Sequence, residues 1–208
     1  LSTRMAKSKP TMRKQPVQAR SKVTVDAIVE AAARILSREG WTGFTTNKVA
    51  EAAGVSVGSY YQYFPDKHSL VSAIRERHLD DCRAVLKRAA ESDGPLSRLI
   101  GELVDDIIAI HSIHSGLHRV LLDEIPNVEA FRDPESDFEK EYLGYFTALV
   151  GKHRKGDEHV SSRTIGVIMS DAVDGVVHNA ARRGNLQSAA IRHELVRMML
   201  LYLSSSDA

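Results

Sequence analysis

The stretch from Thr45 to Lys67, TTNKVAEAAGVSVGSYYQYFPDK, constrains this chain more than any other. Val49, Ala50 and Ala53 fall on one side of a short helix and can face inward. Gly54 supplies the turn that follows, where a positive φ costs little, and Val55 tucks under the corner. Ser56 is placed to cap a second helix, roughly Ser56 to Phe64, with Ser59 three residues on. That helix begins with small residues and carries three tyrosines behind them. A helix that enters a DNA major groove needs this order, because its first turn must come close to base edges and bulk there is a handicap. Free N–H groups and hydroxyls at helix starts can also hold phosphates.

Individual positions can be weighed on the same grounds. Thr45 and Thr46 are caps first, and a cap hydroxyl can serve a phosphate as well. Lys48 and Lys67 stand at helix starts, where a cation opposes the helix dipole; an incoming phosphate would explain the arrangement. Tyr60 is expected in the core, with Tyr61 and Tyr63 directed outward to the DNA backbone.

The run T-T-x-x-V-A-x-x-A-G-V-S-x-G-S-x-Y-x-Y-F-x-x-K-x-x-L is formed here by Thr45, Thr46, Val49, Ala50, Ala53, Gly54, Val55, Ser56, Gly58, Ser59, Tyr61, Tyr63, Phe64, Lys67 and Leu70. It resembles the helix-turn-helix of the tetracycline-repressor (TetR) family of bacterial transcription regulators. The resemblance runs from about Thr24 to Ile74; beyond that only length and helical character match. It implies that the positions of Thr46, Val57, Gly58, Ser59, Tyr61, Tyr63 and Lys67 work against DNA. Val57 can offer only apolar contact, for example to a thymine methyl, and Gly58 only close backbone approach. With Thr45, Lys48 and Ser56 these complete the expected DNA-binding set.

Helical spacing continues on both sides. Val25, Ile28, Val29, Ala32, Ile35 and Leu36 predict a helix from Val25 to Glu39, ended by Gly40, with Trp41 and Phe44 plugging a small core. Pro65-Asp66 breaks and recaps the chain. A long helix from Lys67 to Ala90 follows, apolar at Leu70, Ile74, Leu79 (or His78), Cys82, Val85, Leu86 and Ala89. Leu96 to His114 is apolar on two sides and is therefore expected to be central. Ser115-Gly116 interrupts it, and a short helix from Leu117 to Glu124 stops at Pro126. Residues 127–137 and 153–161 are expected loops. Further helices are expected over Phe138–Lys152, Ser162–Arg183 and Ser188–Ser204. No internal repeat and no strand-like alternation occurs, so the expected fold is all-α, with about nine helices.

Charge is uneven. Residues 1–22 hold seven basic groups and no acid; the other 186 residues hold 21 basic and 27 acidic groups, a net of −6. The first 22 residues are expected to be a disordered basic arm able to follow phosphates. Residues 23–66 are expected to form the DNA-binding domain, and residues 67–208 an effector-binding and dimerisation domain. The lone cysteine, Cys82, allows no intrachain disulfide and reads as an ordinary half-buried residue. No apolar run approaches the ~20 residues that span a bilayer, and the basic N-terminus lacks the apolar stretch of a secretion signal. A cytoplasmic protein without membrane contact is expected.

No catalytic motif is present: no P-loop, GxGxxG, HExxH or CxxC. His111, His114 and His118 are spaced i, i+3, i+7 and would share a face of an unbroken helix, as three zinc ligands could. Gly116 lies between them, and His178 stands four residues after Asp174 on a later helix. The favoured reading is that no cofactor or resident metal is held. His111, His114, Tyr142, Phe146, Met169 and His178 are instead expected to line a pocket for a small, largely apolar effector. The last two helices of each chain are expected to make a homodimer, since one recognition helix reads too few base pairs and a two-fold pair suits a near-palindromic operator. Two other readings compete: a small all-α metal-dependent enzyme using the three histidines, and an architectural DNA binder without effector.

Overall fold

The computed structural model describes residue 12 and residues 19–114, 116–125, 135–154 and 160–204. Among these the chain is helical throughout, without strands. It falls into two compact units, up to Arg77 and from His78 onward. No described helix is long and apolar enough to cross a membrane.

The first unit holds α1 (Ala19–Gly43), α2 (Thr46–Ala52), α3 (Val57–Tyr63) and the start of α4 (Lys67–Glu91). α1 buries Val25, Ile28, Val29, Ala32, Ile35 and Leu36, the face expected from spacing. It starts earlier than Val25, so residues 19–22 of the expected arm are helical; residues 1–11 and 13–18 lie outside the described residues. At Gly40 the backbone leaves helical geometry (φ 66°), then makes one more turn to Gly43. Phe44 is buried and Trp41 half-buried, their rings stacked with centroids 6.1 Å apart. Gly54 turns the chain between α2 and α3 at φ +67°. α4 begins at a reciprocal cap: the Ser69 amide donates to Asp66 Oδ1 at 2.7 Å and the Asp66 amide to Ser69 Oγ at 3.3 Å. Leu70, Val71 and Ile74 are buried, and the unit boundary falls inside α4 rather than at its first residue.

The second unit holds the rest of α4, then α5 (Leu96–Ser112), α6 (Leu117–Arg119), a π-helical turn (Val120–Glu124), α7 (Asp137–His153), α8 (Ser162–Arg182) and α9 (Ala189–Ser204). One apolar core joins α4, α5, α7, α8 and α9, built on Leu86, Ile100, Leu103, Val104, Phe146, Leu149, Met169, Val173, Val177 and Met199. α7 lies along α8, and α5 packs on α9 and α8. Ser136 and Ser161 cap α7 and α8 by accepting from the amides of Glu139 and Thr164. α5 buries both of its stripes, as a central helix should, except that Ile108 and Ile110 are only partly covered. Most of the two expected loops, residues 127–134 and 155–159, lies outside the described residues, as do Ser115 and Pro126.

On α4 the buried position is His78, with Leu79 partly exposed. On α8 the buried stripe is Ile165, Met169, Val173, Val177 and Ala180, while Ile168 is 48% exposed.

Candidate functional site

The tip of α3 is built from beneath. Ser56 Oγ accepts the Ser59 amide at 3.0 Å and bonds Ser59 Oγ at 2.8 Å, which fixes the first turn. Tyr60 is fully buried and its hydroxyl donates to the Asp66 carbonyl at 3.2 Å, which ties α3 to the start of α4. Burial, then the nearby Tyr61 and Asp66, holds the Tyr60 phenol above its ordinary range, so it stays protonated. Above this anchor Val57 is 40% exposed and Tyr61 41%, and Ser56 and Gly58 are also exposed. A methyl added at Gly58 would meet only Ser56 Oγ, at 3.8 Å, so the opening in front of this turn is real.

Around the tip, Thr45 Oγ1 caps α2 by accepting the Lys48 amide at 3.4 Å. Thr46 Oγ1 and the Tyr61 hydroxyl lie 3.3 Å apart, which links the two helices at the surface. One expectation needs correction. Tyr63 is only 9% exposed: residues 60 and 63 share a helix face, so Tyr63 turns inward with Tyr60 and not outward with Tyr61. The Lys48 ammonium pairs with Glu39 and donates to the Gly43 carbonyl at 3.2 Å. Lys67 lies with Nζ 3.7 Å from the Trp41 ring centroid, so Trp41 holds a cation at the surface as well as packing on Phe44. Position along the sequence could not show this ring contact.

The second unit gathers histidines. α5 ends at Ser112, and Gly116 (φ 93°) turns the chain so that α6 brings His118 back over His111; their rings stack with centroids 4.4 Å apart. An ordinary side chain would be strained at that φ. His78 from α4 completes the group, with centroids 4.7 Å from His111 and 4.5 Å from His118. His178 from α8 flanks it at 5.3 Å from His111 and 5.2 Å from His118. The expected set lacks His78, and His114 stands half-exposed past the end of α5, so the trio is His78, His111 and His118. All three are buried. His111 Nδ1 donates to the Ile107 carbonyl at 2.8 Å, and the Nε2 atoms of His118 and His78 are 3.1 Å apart. Cys82 Sγ, buried one turn along α4, lies 3.5 Å from His78 Nε2.

Burial, and next the neighbouring imidazoles, lowers the three basicities: His78 to about 3, His111 to about 4, and His118 well below the ordinary histidine value. The cluster is therefore uncharged near neutral pH. The π-helical turn after α6 is tied to α8 by the Arg182–Asp123 ion pair. Of the remaining expected pocket residues, Tyr142, Phe146 and Met169 are buried in the common core, with Tyr142 and Phe146 ring centroids 5.5 Å apart. Met169 also lines an open apolar groove of ≈ 600 Å³ with Ile168, Ala172, Met198, Met199, Leu201 and Tyr202 of α8 and α9.

Comparison with known proteins gives the same two-part division. Residues 28–74 match the description "Bacterial regulatory proteins, tetR family", and residues 95–203 match "Tetracyclin repressor-like, C-terminal domain". The HTH-type transcriptional repressor KstR2 of Rhodococcus jostii is 30% identical over 89 residues, which is 41% of this chain and 44% of that protein. The chain thus spans about half the length of the curated relatives it matches. A TetR-family transcriptional regulator from Streptomyces coelicolor has the same fold, with a TM-score of 0.58 at 22% identity over 86% of this chain and 97% of that one. So does the transcriptional regulator FadR from Bacillus subtilis, solved in complex with stearoyl-CoA, with a TM-score of 0.67 at 16% identity over 88% and 99%. By the match over both units, the chain belongs to the tetracycline-repressor (TetR) family of bacterial regulatory proteins.

Proposed function

We propose that this protein is a dimeric, sequence-specific DNA-binding transcription regulator, and that it represses until a small, largely apolar effector releases it from its operator. The observation that carries this reading is the tip of α3, an exposed helix start without bulk, held from below by the buried Tyr60. In this reading Val57, Gly58 and Ser59 approach base edges. Thr45, Thr46, Ser56 and Tyr61 take phosphates. Lys48 and Lys67 add positive charge at the flanks, Lys48 by exchanging Glu39 for a phosphate and Lys67 from its seat on Trp41.

Residues 23–66 act as the DNA-binding domain, preceded by a basic arm over 1–22, and residues 67–208 as the effector and dimer domain. A second copy covers the groove between α8 and α9. Ile168, Met198 and Leu201 are 48%, 39% and 60% exposed there, an apolar surface that a partner's identical face would cover. The effector lies against Tyr142 and Phe146, with His111 and His178 at its polar end. It shifts the regulator by binding the released state more tightly, which requires a difference of about 3 to 5 kcal/mol. The protein works in the cytoplasm, on a near-palindromic duplex.

The test is selection of bound sequences from random duplex DNA with the purified full chain. A near-palindromic consensus is expected, bound by two protomers. A monomer that holds selected and scrambled duplexes equally would refute the proposal.

A further inference from the structure

We infer that His78, His111 and His118 form a site for one divalent transition-metal ion of the zinc class. Three buried imidazoles from three separate helices place their candidate ligand atoms within 4.8 Å of one another. A tetrahedral zinc site with Zn–N bonds near 2.0–2.1 Å puts neighbouring nitrogens about 3.3 Å apart. The Nε2 atoms of His78 and His118 are already 3.1 Å apart, so on that edge the ion would need almost no rearrangement.

The hydrogen bonding points the same way. The Ile107 carbonyl can only accept, so His111 Nδ1 carries the proton, and Nε2 presents its lone pair. An imidazole oriented by a backbone carbonyl is the usual outer support of a metal ligand. Between His78 and His118 one Nε2 donates and the other accepts, so moving the donor ring's proton from Nε2 to Nδ1 turns both Nε2 lone pairs to the ion while both rings stay neutral.

The donor set selects the ion. It is nitrogen only, with no carboxylate among the described buried residues, and so suits zinc, copper, nickel or cobalt rather than magnesium or calcium. Three neutral ligands leave the ion's charge uncompensated, so the fourth position takes an anion, hydroxide in the simplest case. Cys82 and His178 are the groups beside the cluster that such a ligand meets. This inference is independent of the DNA reading, because an ion can bind here whatever the first unit does.

The experiment uses the full chain, stripped with a chelator and titrated with Co²⁺ and then Zn²⁺. One ion per chain is expected, with the absorption of a tetrahedral nitrogen-ligated Co²⁺ complex that Zn²⁺ displaces. Zn²⁺ should also raise the melting temperature. His111→Gln and His118→Gln should each weaken binding by ~100-fold or more. His193→Gln, at an exposed histidine on α9, should leave binding unchanged. The absence of stoichiometric binding by the unsubstituted protein would overturn the inference, whatever the variants do. Full affinity in a folded His111→Gln variant would overturn it too, as would loss of binding in His193→Gln.

Discussion

Gly58→Ala separates the DNA reading from a merely structural one, because the two demand opposite changes. In the free protein the added methyl meets only Ser56 Oγ at 3.8 Å, an ordinary contact, and the position is helical. Replacing glycine inside a helix by alanine stabilises by about 0.5–1 kcal/mol. Near the first turn the lower end applies, so the variant should melt slightly above the parent. Against DNA the methyl stands where the helix tip must come closest. Pushing the tip back by about 1.5 Å takes a hydrogen bond of about 2.9 Å beyond its useful range. Giving up one well-made pairing with a base edge costs about 1–3 kcal/mol. That is about 5- to 150-fold in affinity for one half-site, with the free energy doubled for a two-fold dimer. Fluorescence anisotropy with the selected duplex, set beside thermal melts of the same sample, reads both quantities. A variant that is more stable and binds its operator as well as the parent would refute the claim that this turn approaches the bases.

Other perturbations test the supports. Tyr60→Phe removes the bond to the Asp66 carbonyl and should cost about 1 kcal/mol in denaturant melts. The folded Tyr60 pKa lies above its unfolded value of 10.0, so the stability it lends is present below pH 10 and lost as pH rises past it. The parent should therefore lose more stability between pH 9 and 11 than Tyr60→Phe; equal losses would contradict this account. Ser56→Ala removes the cap of α3 and should cost about 1 kcal/mol, seen as faster amide exchange in that helix. Met198→Asp with Leu201→Asp charges the exposed groove between α8 and α9; sedimentation should show a folded monomer with weakened operator binding, and an unchanged dimer would place the interface elsewhere. Phe146→Ala empties a fully buried site and should cost about 3–5 kcal/mol by chemical denaturation.

What can be read along the chain is local. The caps at Thr45 and Ser56, the Gly54 turn and the buried face of α1 depend on residues three or four apart, and periodicity finds such neighbours directly. Errors arise where one side chain has two possible faces. Tyr63 follows two tyrosines of different fates, and only the contact face of α3 decides which one it joins. The Lys48–Glu39 pair joins two helices, so spacing within either helix does not show it.

The histidine cluster marks the limit of that kind of reading. Spacing along one helix brings forward His111, His114 and His118, and the break at Gly116 is visible; its consequence is not. A left-handed turn reverses the chain, so His118 meets His111 by folding back, and His114 is left at the bend. The third member, His78, lies forty residues earlier than its bonded partner His118. At its own position it competes with Leu79 for the buried face of α4, and hydrophobicity alone favours the leucine. The histidine is inward all the same, and a polar group goes into an apolar core only where partners compensate its desolvation. Here the partners include the His118 imidazole and the Cys82 thiol, groups of the kind that bind a borderline cation. That is a costly way to fill a core and a cheap way to prepare a cation site, which is why the inward turn of His78 is better explained by a ligand than by packing.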